Sequence, residues 1–150
     1  MKESDKQIEI ILNRGVEEII EKDHLIELLS SGKKLRVKFG IDPTAPYIHL
    51  GHTVPLRKLR QFQEAGHQIV FIIGDFTGMI GDPSGRNEER KPITEKEIKN
   101  NLKKYLEQAG KVIDIKKAEI HYNSEWHKKG GLVSMLEMAK AVTFQQIIKR

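Results

Sequence analysis

The chain contains no cysteine, which removes disulfide frameworks, thiolate nucleophiles and cysteine-held zinc from its possible chemistries. It has no apolar run near the ~20 residues that a membrane-spanning helix needs. Its first residues, Met1-Lys2-Glu3-Ser4-Asp5-Lys6-Gln7, lack the basic-then-apolar order of an export signal. These absences leave a cytoplasmic location as the expectation. Aromatic residues are scarce, at 6%, with tryptophan only at Trp126, and no aromatic-interleaved basic patch of an RNA-recognition module is present. Neither a Gly-Lys-Ser/Thr phosphate loop nor the GxGxxG dinucleotide fingerprint occurs.

What is present is charge and periodicity. Charged residues make up 31% of the chain and hydrophobic residues 38%. The formal net charge of +5 and pI near 9.3 favour polyanionic partners such as nucleotides or RNA. Apolar periodicity with charges of both signs argues against disorder. At 150 residues, the length suits one domain that buries roughly 70% of its unfolded surface.

The pattern predicts short helices over 5–13 and 23–31, the second with Asp23 as N-cap and Gly32 past its end. Leu35 to Ile41 alternates apolar and polar residues, as a half-buried strand does. A helix over 49–65 follows, with Leu50, Leu56, Leu59 and Phe62 at helical spacing and Gly66 terminating it. Ile69 to Ile73 is a continuous apolar run, suited to a strand covered on both faces. Thr94 and Glu97 form a capping box for a helix ending near Gly110. A third strand is expected over 118–122. The last helix is expected over 131–149, with Leu132, Met135, Leu136, Met138 and Ala139 on its apolar side. Strand–helix–strand–helix–strand order implies parallel βαβ units and a doubly wound α/β sheet. Ligands of such sheets bind beyond the carboxyl ends of the strands, where both unusual loops, 42–48 and 74–85, emerge.

The most informative stretch is His49-Leu50-Gly51-His52, which follows the breaker-rich run Asp42-Pro43-Thr44-Ala45-Pro46 and opens a helix. A helix N-terminus presents backbone N–H groups to an anion, and two histidines three apart share its face. They can donate to one phosphate group and stabilise charge as pyrophosphate departs, an effect of ~3 kcal/mol per preorganised donor. Gly51 would let a flat adenine approach the backbone. The alternatives are two partly exposed helix-start histidines with no role, or two of the three ligands that a catalytic zinc needs. In the second loop, Asp82 could pair with a substrate ammonium; alternatively, Asp75 and Asp82 only bond local N–H groups of a turn. Arg86 to Lys91 reads as a solvated mixed-charge loop. His24, His67, His121 and His127 are scattered and carry no assigned role.

Lys38-Phe39-Gly40-Ile41-Asp42-Pro43-Thr44-Ala45-Pro46 with His49-Leu50-Gly51-His52-Thr53 closely resembles the class I aminoacyl-tRNA synthetases, and within them the bacterial tyrosyl-tRNA synthetase family. The likeness continues through Leu59-Arg60-Gln61-Phe62-Gln63, Gly74-Asp75-Phe76-Thr77-Gly78-Met79-Ile80-Gly81-Asp82-Pro83 and Tyr122-Asn123-Ser124-Glu125-Trp126. It implies a Rossmann-like (HUP-type) α/β fold, a parallel sheet with flanking helices, here incomplete relative to the family's full catalytic domain. Residues 1–34 would be N-terminal helices packing on that domain, and 35–150 its first half. The implied activity is tyrosine–tRNA ligation: tyrosine and ATP, with Mg2+, give tyrosyl-adenylate and pyrophosphate, and the acyl group passes to tRNA.

By the same resemblance, His49, Gly51 and His52 form the HIGH signature that handles ATP, with Asp42 and Thr44 beside it. Lys38, Gly40, Asp42, Thr77, Asp82 and Asn123 would bind the amino acid. Many relatives carry a tyrosine where this chain has Lys38, although one branch shares the lysine. Tryptophanyl-tRNA synthetase is the near rival, and Pro43-Thr44-Ala45 and His52 fit its signature less well. The chain ends at Arg150, about a third of the way through the family's usual extent and before its lysine-bearing KMSKS loop. The 150 residues alone are therefore expected to bind nucleotide weakly and to form little or no adenylate. A homodimer through the segment 131–149 is expected from the family. The readings outside it are another HIGH-type nucleotidyltransferase with a small-molecule acceptor, and a non-catalytic nucleotide- or RNA-binding module.

Overall fold

A computed structural model describes residues 3–80 and 93–140. Asp82, the charged loop through Arg86 and Lys91, and positions 141–149 of the expected last helix lie outside the described residues. Two helices, α1 (Glu3–Asn13) and α2 (Lys22–Ser30), precede strand β1 (Arg36–Ile41). Helix α3 (Leu50–Glu64) crosses to β2 (Gln68–Ile73); α4 (Thr77–Ile80) and α5 (Glu95–Ala109) follow, then a 3-10 turn at Ile115–Lys117, β3 (Glu119–Tyr122) and α6 (Ser124–Lys140).

All three strands are parallel in the order β1-β2-β3, with Arg36 opposite Gln68 and Val70 opposite Glu119. Two parallel crossovers that step in the same direction place both helices on one face, because both are right-handed. The core agrees. Leu56 and Leu59 of α3 and Leu102, Tyr105 and Ala109 of α5 share one cluster with Ile69, Phe71 and Ile73 of β2. Val37, Phe39 and Ile41 of β1 pack against the same cluster. A doubly wound sheet carries crossover helices on both faces; among the described residues only one face carries them. By strand alternation the opposite face presents Arg36, Lys38 and Gly40, then Gln68, Val70 and Ile72, then Glu119 and His121. The Arg36 guanidinium pairs with the Glu119 carboxylate on that face.

Local sequence explains most element boundaries. Thr94 Oγ1 accepts from Glu97 N–H at 3.3 Å while Glu97 Oε2 accepts from Thr94 N–H at 2.8 Å, closing the predicted capping box. These bonds from Thr94 hold the Glu97 carboxyl below its ordinary range. Gly32 and Gly66 take φ of +70° and +89° just beyond α2 and α3, the left-handed conformation that ends helices.

Three expectations differ. Asp23 is not the N-cap of α2: Glu21 holds that position at φ 55° with no side-chain cap, and Asp23 sits in the first turn, where its charge still suits the helix dipole. Leu50 does not join the apolar face of α3; it is 86% exposed, because it lies in the first turn, beyond the sheet edge. The element α6 begins earlier, at Ser124, with a helical segment that Gly131, φ 56° and ψ −172°, separates from the expected last helix, which starts just past that glycine. Its early start follows from Asp75, which accepts from Ser124 N–H at 3.0 Å and Oγ at 2.6 Å and so caps it across the sheet. The side chains of Leu132, Met135, Leu136 and Met138 lie outside those described, and Ala139 is exposed.

Candidate functional site

The loop after β1 descends to the helix that carries the histidines. Pro43 is fully buried, and two amides of α5 hold the loop backbone. Asn101 Nδ2 donates to Pro43 O at 3.1 Å, and Gln108 Nε2 donates to Pro46 O at 2.9 Å while its Oε1 accepts from Ile48 N–H at 3.3 Å. Thr44 N–H bonds back to Asp42 O at 2.8 Å, tightening the turn. This bracing delivers His49 to the N-cap of α3 in extended conformation.

The histidines are joined reciprocally. His49 Nδ1 accepts from Gly51 N–H at 3.1 Å, and His52 Nδ1 accepts from His49 N–H at 3.2 Å. A nitrogen that accepts bears no proton, so this network sets both rings as neutral imidazoles protonated at Nε2. The rings lie 4.0 Å apart. Burial, and then the neighbouring His49, push the His52 pKa below its ordinary 6.5. The edge of Tyr105 meets His52 at 6.0 Å. Its buried hydroxyl has no hydrogen-bond partner among the described residues, and burial raises its pKa to about 12. Gly51 has a packing reason beyond an open approach: a Cβ there would stand 2.9 Å from His49 Cε1.

The strand ends meet in a second network. Asn123, only 7% exposed, donates through Nδ2 to Thr77 Oγ1 at 2.8 Å and accepts at Oδ1 from Phe76 N–H at 2.9 Å. Thr77 Oγ1 in turn donates to Asp42 Oδ1 at 2.8 Å. This chain of donors runs from the end of β3 through the α4 start to the β1 loop and, among the described residues, uses only one of the two Asp42 oxygens. Gly74, where β2 ends, makes the meeting possible: a Cβ there would lie 1.6 Å from Asp42 Oδ1 and 2.5 Å from Thr77 Oγ1.

The fold thus brings together His49, Gly51 and His52, and separately Asp42, Thr77 and Asn123, at one end of the sheet. Lys38 and Gly40 lie on the open face of β1, with the Lys38 ammonium 3.8 Å from the position of a Gly40 Cβ. Thr44 is half-buried in the connecting loop. Asp75 bonds Ser124 of another element rather than local turn N–H groups. Trp126 is 44% exposed. Gly74, Asn101, Gln108 and Tyr105 were not singled out from sequence. Asn101 and Gln108 do carry a signal: they are seven residues apart, two turns on one side of the stripe Ile98, Leu102, Tyr105 and Ala109. Among the described residues, no group of three or more His, Asp or Glu is placed to hold a metal ion. No described helix is long and apolar enough to cross a membrane.

The family model described as tRNA synthetases class I (W and Y) matches residues 30–150. A tyrosine–tRNA ligase of Idiomarina loihiensis is 50% identical over 139 residues, 93% of this chain and 35% of that protein. One from Oleidesulfovibrio alaskensis is 48% identical over 146 residues, 97% of this chain and 36% of that protein. The crystal structure of tyrosyl-tRNA synthetase complexed with L-tyrosine from Pyrococcus horikoshii superposes with a TM-score of 0.71 at 25% identity, covering 93% of this chain and 38% of that one. The chain spans about a third of the length of the curated relatives it matches.

Proposed function

From the fact that the chain belongs to the class I tRNA synthetases of the tryptophan and tyrosine group, we propose that it is the ATP-handling N-terminal part of a tyrosine–tRNA ligase. The observation that carries this reading is the reciprocal His49–His52 arrangement at the start of α3. Two neutral rings, each offering Nε2–H, stand at the positive end of a helix dipole. Neutral donors suit a triphosphate whose charge shifts during reaction, since they stabilise oxyanions without moving a proton.

In the step we assign to the site, a carboxylate oxygen of tyrosine attacks the α-phosphorus of ATP. The bond from that phosphorus to the bridging oxygen breaks, and pyrophosphate leaves with the electron pair. His49 and His52 donate to phosphate oxygens as their charge grows; Gly51 keeps the His49 ring in its capping position and the adenine side open. Asp42, oriented by Thr77 and Asn123, faces the substrate ammonium, joined by Asp82. Thr44 and Gly40 line the adenylate, and Lys38 reaches the amino acid side chain. Mg2+ arrives with the triphosphate as part of the substrate. In the complete enzyme tRNA takes the acyl group, the protein pairs as a homodimer, and it works in the cytoplasm. Residues 1–34 serve as a helical cover on a catalytic unit beginning at 35. The high identity to several tyrosine–tRNA ligases favours tyrosine over tryptophan as the substrate.

The test is ATP binding by isothermal titration with and without tyrosine, together with tyrosine-dependent pyrophosphate exchange. ATP binding strengthened by tyrosine, but not by tryptophan, is the expected result. His49→Ala and His52→Ala each should lower exchange about 100-fold, with partial recovery in the asparagine variants. Absence of ATP binding, or a response to tryptophan alone, would sink the reading.

A further inference from the structure

A second cationic surface lies away from the histidines. Helix α3 rises ~1.5 Å per residue, which puts Arg57 and Arg60 roughly 12–17 Å along its axis from His49. Beside them runs a groove of about 570 Å³ between α3, the end of α1 and the segment after α5, lined in part by Arg14, Arg57, Arg60, Glu64 and Lys111. It continues into a hollow of about 750 Å³ along residues 110–117 that shares Arg60, Glu64 and Lys111 and adds Lys116.

The charges of this surface divide into spent and unspent. Lys58 uses all three of its donors on Ile11 O, Arg14 O and Gln61 Oε1, at 2.8, 2.7 and 2.7 Å, fastening the end of α1. Arg60 pairs with Glu64 at 2.7 Å and Lys117 with Asp114 at 3.3 Å, so the acids lining the two hollows are already taken. Arg14, Arg57, Lys111 and Lys116 have no side-chain hydrogen bond or ion pair among the described residues. Three of these line the groove and Lys116 the adjoining hollow, and together they create a field that draws in an anion.

We propose that this groove binds the phosphodiester backbone of tRNA. It is too long for a single phosphate, and its cations follow a line from the end of α1, across α3, to the 110–117 segment. Val54 and Val112 are the apolar side chains of the groove proper, so it offers neither a stacking platform for bases nor a cavity for an acyl chain. It reads backbone charge, not sequence. The choice of tRNA as the polyanion rests on the tyrosine–tRNA ligase reading; the location rests on the unpaired cations.

The experiment measures binding of a labelled tyrosine tRNA transcript to the 150-residue chain by fluorescence anisotropy between 50 and 200 mM KCl. Removing Arg14, Arg57 and Lys111 together as glutamine variants should weaken binding at least about 10-fold at 50 mM. It should also make the log–log salt slope shallower by about two. The thermal midpoint and ATP affinity should stay unchanged, because these exposed side chains hold nothing in the fold. Replacing Lys22, Lys33 and Lys103 by glutamine should change affinity less than about threefold. Equal losses in both triple variants, an unchanged slope in the first, or no tRNA binding by the parent chain would each overturn the proposal. Capture by phosphatidylglycerol vesicles in place of tRNA would overturn it too. Absence of tyrosine-strengthened ATP binding with groove-dependent tRNA binding intact would count against the ligase reading alone.

Discussion

Single atoms decide the site at the residue scale. At Gly74 the missing Cβ is the space in which Asp42 Oδ1 and Thr77 Oγ1 meet. Gly74→Ala must therefore part that hydrogen bond or shift the strand end, an overpacking cost of about 1–3 kcal/mol. Tyrosine-enhanced ATP binding should fall at least about tenfold, more than the loss in thermal stability would explain. Titration calorimetry beside a thermal melt checks this, and a variant with parental coupling between the two ligands would refute the role of the Asp42–Thr77 contact. Gly51→Ala should be milder, since the colliding group is the ring of His49, which can swing aside at the loss of one cap, about 1 kcal/mol. His49 and His52 were legible in the sequence because their types and spacing carry chemistry, whereas Asp42, Thr77 and Asn123 were singled out only by the family resemblance. Gly74 was not legible, because a steric demand made by residues 32 positions earlier and three later leaves no local pattern.

At the element scale, α3 carries the proposed ATP-handling histidines at one end and a structural anchor at the other. Pro55, inside the helix, lacks the N–H that would bond the Gly51 carbonyl, and the first turn is tied by the histidine caps together with Thr53 Oγ1, which donates to Leu50 O at 2.6 Å. The far end is fastened by His67, whose Nδ1 accepts from Leu35 N–H at 3.3 Å and whose ring meets Phe62 at 5.9 Å. Burial lowers the His67 pKa from its ordinary 6.5. The unfolded chain therefore binds the proton more readily than the folded one. The stability this contributes is complete above about pH 6.5 and is lost as the pH falls through the lower folded-state value. Urea midpoints measured at pH 7.5 and 5.5 should show that loss in the parent chain and a reduced loss in His67→Gln; equal slopes would contradict the assignment. His52, lowered by burial and by His49, adds in the same direction. The helix caps at Thr94 and Gly66 were readable because capping is local chemistry. The Asp75 cap on α6 joins residues 49 apart, and no local rule announces it.

For the whole molecule, one layer of α3 and α5 against one face of a three-stranded sheet supplies the core. Phe71, fully buried in the central strand, meets Phe39 edge-on at 5.8 Å and 89°. Phe71→Ala should cost about 3–5 kcal/mol and lower the cooperative unfolding midpoint seen by circular dichroism. A cost below about 1 kcal/mol would mean that the core is not centred there. The Arg36–Glu119 pair on the opposite face is exposed, where such pairs contribute about 0–1 kcal/mol.

Within the described residues, the sequence by itself determined the class of fold, the element types and the HIGH-type helix start. Periodicity, capping and turn chemistry act over a few residues and are written where they act. The tertiary structure alone decided that both crossover helices share one face and that Asp42, Thr77 and Asn123 form one network. Each of these depends on groups far apart in the chain, whose meeting is set by parallel strand pairing and right-handed crossovers.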